Sequence, residues 1–199
     1  MKKIFITIFL AIMIIIFFTI SAYKKNNIGN NISKSDYIDI LNISAYEATI
    51  EVTVYSNKNT NKYILYQKYD KPNILEQDVL EPVNIKGLKT IFDGTNLTIK
   101  NEGLNVKTVY ENFEYIKGNS LSLISFIEEY KENPNIETIE TEEERIIEIK
   151  LKEENKYKMY KKIYIDKKTK LPTKMEILDI NKNISVYILY KEIKIKSSK

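Results

Sequence analysis

From Tyr46 to Val54 the chain alternates: Tyr46, Ala48, Ile50, Val52 and Val54 are apolar or aromatic, with Glu47, Thr49, Glu51 and Thr53 between them. Successive side chains of a strand point to opposite faces, so this run predicts a strand with one face buried and one wet. Shorter runs predict strands at Tyr63–Tyr69, Ile74–Leu80, Lys89–Phe92, Leu97–Lys100 and Lys107–Tyr110. Their boundaries are turn signals: Ser56 to Thr60, Pro72, Pro82, and the hairpin Asp93-Gly94-Thr95-Asn96. Four more strands, Arg145–Lys152, Tyr157–Ile165, Lys174–Ile180 and Ser185–Ile195, are separated by stretches that contain the polar turns Glu153-Glu154-Asn155, Asp166-Lys167-Lys168-Thr169 and Asn181-Lys182-Asn183. Strands joined so closely, with no long helices between them, form an antiparallel meander.

Two segments switch to a helical period. Ser35-Asp36 caps a predicted short helix over Tyr37–Ile43, with Tyr37, Ile40 and Leu41 inward. Asn119-Ser120 caps a second, which puts Leu123, Ile124, Ile127 and Tyr130 on one face and Ser122, Ser125 and Glu129 opposite, before Asn133-Pro134 ends it. One such helix cannot cover both faces of a ten-strand sheet. The predicted fold is therefore α+β and mainly antiparallel β: a curved half-barrel sheet with short helices over its open side.

The N-terminus is different in kind. Ile4 to Ala22 is free of charge, with Lys2-Lys3 before it and Lys24-Lys25 after. About 20 apolar residues suffice to cross a bilayer as a helix. We read residues 1–25 as a signal or membrane anchor, uncleaved because the apolar run is longer than a usual signal's and Thr19-Ile20-Ser21 or Ile20-Ser21-Ala22 makes a poor small-x-small site, with a cleaved signal as the alternative. Residues 26–34 read as a polar tether and 35–199 as the folded domain. The domain is placed outside a bacterial membrane.

Composition removes much chemistry. The 199 residues include no His, no Cys and no Trp, so imidazole-dependent nucleophiles, Cys/His zinc sites and disulfides are all excluded. Lysine occurs 30 times against a single arginine, Arg145, and the formal net charge is only +4. Arginine-led base and phosphate reading is absent, which argues against nucleic acid as a partner. Ile occurs 35 times and Asn 20 times, a bias best explained by A/T-rich codons in a low-GC bacterium.

The order of these pieces resembles the LolA/LolB-type lipoprotein-carrier superfamily over about residues 35 to 195. The residues that carry the resemblance are the alternating strand 46–54, Tyr66-Gln67-Lys68-Tyr69-Asp70-Lys71-Pro72, and Val79-Leu80-Glu81-Pro82. Gly87, the hairpin Phe92 to Leu97, Tyr164-Ile165-Asp166 and Leu171 to Met175 complete it. Within that superfamily the basic, low-GC composition and the start Ile20-Ser21-Ala22-Tyr23 look most like the clostridial germination lipoproteins of the GerS type. That start is similar to a lipobox, with Tyr23 where the lipid-bearing Cys would stand, so acylation cannot occur there. The resemblance implies a membrane-tethered, non-catalytic protein of the developing spore. Its expected partner is a cortex N-acetylmuramoyl-L-alanine amidase needed for germination. A lipid or lipoprotein carrier using the concave apolar face is the alternative.

Candidate site residues follow from the 15 tyrosines. Tyr63, Tyr66, Tyr69, Tyr110 and Tyr115 are candidates to line a groove that meets a partner or lipid, because a ring offers apolar area with a polar tip. The plainer account, which we favour, is that tyrosine is a good strand residue. The acidic stretch Glu137–Glu144 reads as a solvated loop rather than a cation site. A carboxylate pair for glycoside hydrolysis needs two convergent groups in a cleft, and nothing distinguishes any pair. No catalytic, cofactor-binding or metal-binding residue is predicted. The matches to the glycosylation sequon at Asn31, Asn42, Asn96 and Asn183 are those expected by chance from so many Asn.

Overall fold

The computed structural model describes residues 42–113, 119–134 and 136–197. The chain divides into two units, Met1–Asp36 and Tyr37–Lys199. The first unit, with the anchor Ile4–Ala22, Tyr23 and the tether 26–34, lies outside the described residues, as do Tyr37 to Leu41 of the predicted first helix and Tyr115.

The short polar turns do what their chemistry predicts and fold the chain back on itself repeatedly. Six strands come first: β1 (Ile43–Tyr55), β2 (Thr60–Asp70), β3 (Ile74–Glu81), β4 (Lys89–Phe92), β5 (Leu97–Asn101) and β6 (Val106–Tyr110). A helix, α1 (Leu123–Lys131), follows. Then come β7 (Ile136–Glu140), β8 (Glu144–Asn155), β9 (Lys158–Asp166), β10 (Pro172–Leu178) and β11 (Ile184–Ser197). All are antiparallel to their neighbours in one sheet of order β6-β5-β4-β3-β2-β1-β11-β10-β9-β8-β7. The first strand pairs the last, which joins two meanders at the middle of the sheet.

That order dictates where the helix goes. The chain leaves the sheet at one edge, β6, and re-enters at the other, β7. Ten strand spacings of about 4.8 Å separate the edges along the sheet, so the connection must cross a face, and α1 rides on it. The face it covers presents continuous cross-strand rows. One runs Tyr46, Tyr69, Leu75, Phe92, Leu97, Tyr110 from β1 to β6. Another runs Val52, Ile188, Met175, Ile163, Ile147 from β1 to β8. Leu123, Ile124, Phe126 and Ile127 of α1 pack into the same core. The sheet is curved and unclosed, and among the described residues the apolar side chains of α1 pack into its hollow.

Several expectations are corrected. The sheet has eleven strands, because Ile136–Glu140 is a strand and not a loop. Ile136 and Ile139 stand opposite Ile149 and Ile146, Glu140 pairs Arg145 and Lys167, and an edge position keeps Glu137 wet. The cap of α1 is Ser122, whose Oγ accepts the Ser125 N–H at 3.2 Å; Asn119 instead organises the turn before it. Strand β10 stops at Leu178, because the Asp179 carboxylate accepts the N–H groups of Asn181 and Asn183, both at 2.8 Å, and turns the chain. At the start of the domain, Ile43 opens β1 rather than ending a helix.

Candidate interaction surfaces

Among the described residues the hollow holds one buried cation, Lys161. On β9 the inward positions are Met159, Lys161, Ile163 and Ile165, so Lys161 sits where the period of two calls for an apolar residue. Its side chain is 0% exposed. The ammonium meets the Glu129 carboxylate at 2.5 Å and donates to Ser125 Oγ at 2.8 Å, both on α1. This reverses the expected role of the helix's polar side: Ser122 and Ser125 are buried, and Glu129 is the counter-charge that lets the lysine stay inside. A second polar contact seats the segment before the helix. Tyr46 Oη donates to Gln67 Oε1 at 3.3 Å, and Gln67 Nε2 donates to Gln77 Oε1 at 3.0 Å and to the Leu121 carbonyl at 3.3 Å.

The buried lysine has a consequence in pH. Burial lowers the Lys161 pKa to about 8, with Glu129 opposing that effect and Lys158 adding to it. An unfolded lysine titrates near 10.4. Between about pH 8 and 10.4 the unfolded chain therefore binds more protons than the folded one, and stability rises with pH. Above about pH 10 the sign reverses. Burial, and a bond to Glu176 in the case of Tyr164, push the phenols of Tyr164 and Tyr190 well above their usual range. The folded chain then keeps protons that the unfolded chain releases. Urea unfolding from about pH 7 to 11 should show that rise and fall, with Lys161→Met removing the rise alone; a wild-type profile flat from pH 8 to 10 would contradict a buried ammonium.

The outer face of β8–β10 carries a self-satisfied network. Glu148 pairs with Lys162 at 3.1 Å and with Lys182. Burial opposes ionisation of Glu148, but the two lysines outweigh it and hold its carboxyl below the usual range. Tyr164 Oη donates to Glu176 at 2.9 Å, Lys174 lies 3.9 Å over the Tyr164 ring, and Lys182 lies 3.6 Å over that of Tyr160. Charges matched this closely to one another stabilise the sheet and offer little to a ligand.

The candidate tyrosines do not share one groove. Tyr63 and Tyr69 face the hollow, while Tyr66, at the opposite parity of β2, faces outward across from Asp78 and Thr49. Tyr69 is buried, stacked on Tyr46 with centroids 5.9 Å apart. Tyr110 ends the same row but lies exposed on the edge strand, its ring 6.1 Å from Phe113. Cavities formed by described residues are rimmed by charge. One of about 140 Å³ lies beside Glu128, Glu132, Lys152 and Lys158, and one of about 290 Å³ beside Asp78, Lys86, Lys89 and Lys100. The described residues include no cluster of metal-ligating side chains and no helix long and apolar enough to cross a membrane.

The fold defines the class first: an open, curved antiparallel sheet whose hollow is stoppered by a helix, with its accessible features on edges and faces. The chain belongs to the sporulation protein YdcC-like family, which matches residues 1–198. It is similar to a chain in the solved complex of the CwlD amidase from Clostridioides difficile with the GerS lipoprotein. The identity is 25% and the TM-score 0.56, over 84% of this chain and 99% of that one. An uncharacterized conserved protein from Thermus thermophilus matches with 10% identity and a TM-score of 0.52, over 83% and 86% of the two chains. The LolA superfamily protein NE2245 from Nitrosomonas europaea matches with 6% identity and a TM-score of 0.44, over 84% and 96%. No curated protein matches the chain in sequence. The resemblance to GerS-type proteins is borne out by the first of these structures.

Proposed function

We propose that this chain is an exported, membrane-tethered, non-catalytic binding protein of the spore envelope, which docks a cortex N-acetylmuramoyl-L-alanine amidase and supports its action at germination. The likeness to the GerS–CwlD complex carries this reading, in a chain whose family is one of sporulation proteins. The physical chemistry agrees with it. With no His or Cys, the chain has neither of the commonest nucleophile systems. A hollow packed with Leu123, Phe126 and Ile127 favours docking through outer surfaces over carriage of a lipid inside. The anchor is the apolar run 4–22, which substitutes for an acyl group because Tyr23 has no thiol.

The test is retention of a CwlD-type amidase by the detergent-solubilised full chain, together with the cortex of a deletion strain. The expected results are a stable complex and a cortex depleted of muramic lactam. An amidase that is not retained, with normal lactam in the deletion strain, would end this reading.

A further inference from the structure

The two edges of the sheet are built differently. Natural edge strands avoid unwanted pairing by carrying charge, proline or a bulge. Strand β7 follows that rule, with Glu137 and Glu140 among its five residues. Strand β6, Val106-Lys107-Thr108-Val109-Tyr110, does not. It has one charge, no proline and an unbroken register with β5, and all five residues are exposed. Among the described residues no strand meets its outer side, so alternate N–H and C=O groups point away from the sheet unpaired. Large apolar side chains cluster around it: Leu104 is 69% exposed, and Val106, Val109, Tyr110 and Phe113 are exposed as well.

Charge says what should come next. On the outer face one cross-strand row runs Asp78, Lys89, Lys100, Lys107. Lys89 is bridged to Glu76 at 2.8 Å and to Asp78 at 3.4 Å, and Lys100 to Glu102 at 2.9 Å. Lys107, at the end of the row, has no carboxylate among the described residues. A strand added beside it would complete the pattern by placing an acidic side chain there.

Resting on the function proposed above, we infer that β6 is the edge on which the amidase docks. An extended segment of that enzyme adds as a further strand. It places a carboxylate beside Lys107 and apolar side chains against Val109 on the outer face and Val106 and Tyr110 on the other. Backbone pairing supplies affinity, and the alternating side chains supply selectivity.

The experiment is titration of a CwlD-type amidase into the detergent-solubilised full chain at two salt concentrations. Val109→Lys and Thr108→Pro are each expected to weaken binding about tenfold or more. Lys107→Glu should weaken it severalfold and remove its salt sensitivity. Thr138→Lys, on the opposite edge, should change nothing. If Thr108→Pro fails to fold, the two surface substitutions still decide, because both positions are exposed. Unchanged affinity in Lys107→Glu and Val109→Lys would overturn this edge and leave the amidase reading standing, whereas a wild-type chain that does not bind would overturn both. A dimer of this chain that Val109→Lys dissolves, with amidase affinity unaltered, would assign the edge to self-association and also overturn the inference.

Discussion

Glu129→Ala is expected to lower the free energy of unfolding at neutral pH by roughly 3 kcal/mol, the low end of what removing one partner of a buried ion pair costs. The low end applies because the Glu129 side chain is 21% exposed, which leaves water some access to the site. The size of the effect comes from what remains and not from what is removed. Lys161 would be left in a site with 0% exposure with Ser125 Oγ as its acceptor, and would have to hold its charge there unpaired or give up its proton. Glu129 acts to raise the Lys161 pKa, so its loss should drop that value further below about 8 and shift the rise of stability with pH to lower pH. Adding Lys161→Met to Glu129→Ala should recover most of the loss, since a methionine of similar reach packs against Ile149 and Ile177 without a charge to solvate. Urea unfolding followed by circular dichroism measures all three chains. A single variant within about 0.5 kcal/mol of wild type would mean that the lysine escapes to water and that the pair does not hold α1 in the hollow.

The strength of this coupling bears on how the fold is specified. Helix α1 connects the two most distant edges of the sheet, and its burial is a long-range contact with a high loop-closure cost. An apolar helix could slide or rotate on an apolar face. A buried lysine answered by one carboxylate and one hydroxyl, four residues apart on α1, permits one register only.

Much of the local structure was legible because its causes are local. The alternation from Tyr46 to Val54, the Asp93–Asn96 turn and the polar turns near residues 166 and 181 each act within a few residues, and each element appears within about two residues of where they placed it, β10 ending early at Leu178. The pairing of β1 with β11 was not legible, because no turn records which distant strand closes a sheet. Strand β7 was missed because its glutamates look solvated, and at an edge they are. Parity alone could have separated Tyr66 from Tyr63 and Tyr69, since an odd step along a strand changes face. The same parity marks Lys161, a cation at an inward position between Met159 and Ile163. The edge character of β6 follows only from the completed strand order, so the surface we assign to the partner could not be read before the fold was known.

Phe126→Ala is expected to cost about 3–5 kcal/mol, the range for removing a buried aromatic ring. Phe126 is 1% exposed, stacked on Tyr130 with centroids 6.3 Å apart, and belongs to the cluster that unites α1 with both meanders. Most of that cluster stands on strands fixed by their ladders, which limits collapse into the gap. The cavity should therefore persist, stay dry and admit a small apolar molecule. This makes the variant a probe of function as well as of stability. A curved sheet of this kind can carry a ligand where its hollow is open and can only present its outer surfaces where the hollow is filled. The wild-type chain should then fail to take up an apolar fluorescent probe that Phe126→Ala binds, with the loss of stability partly offset by the ligand. Equal uptake by both chains would show that the wild-type hollow opens on its own, and lipid carriage would replace docking as the better account of the concave face.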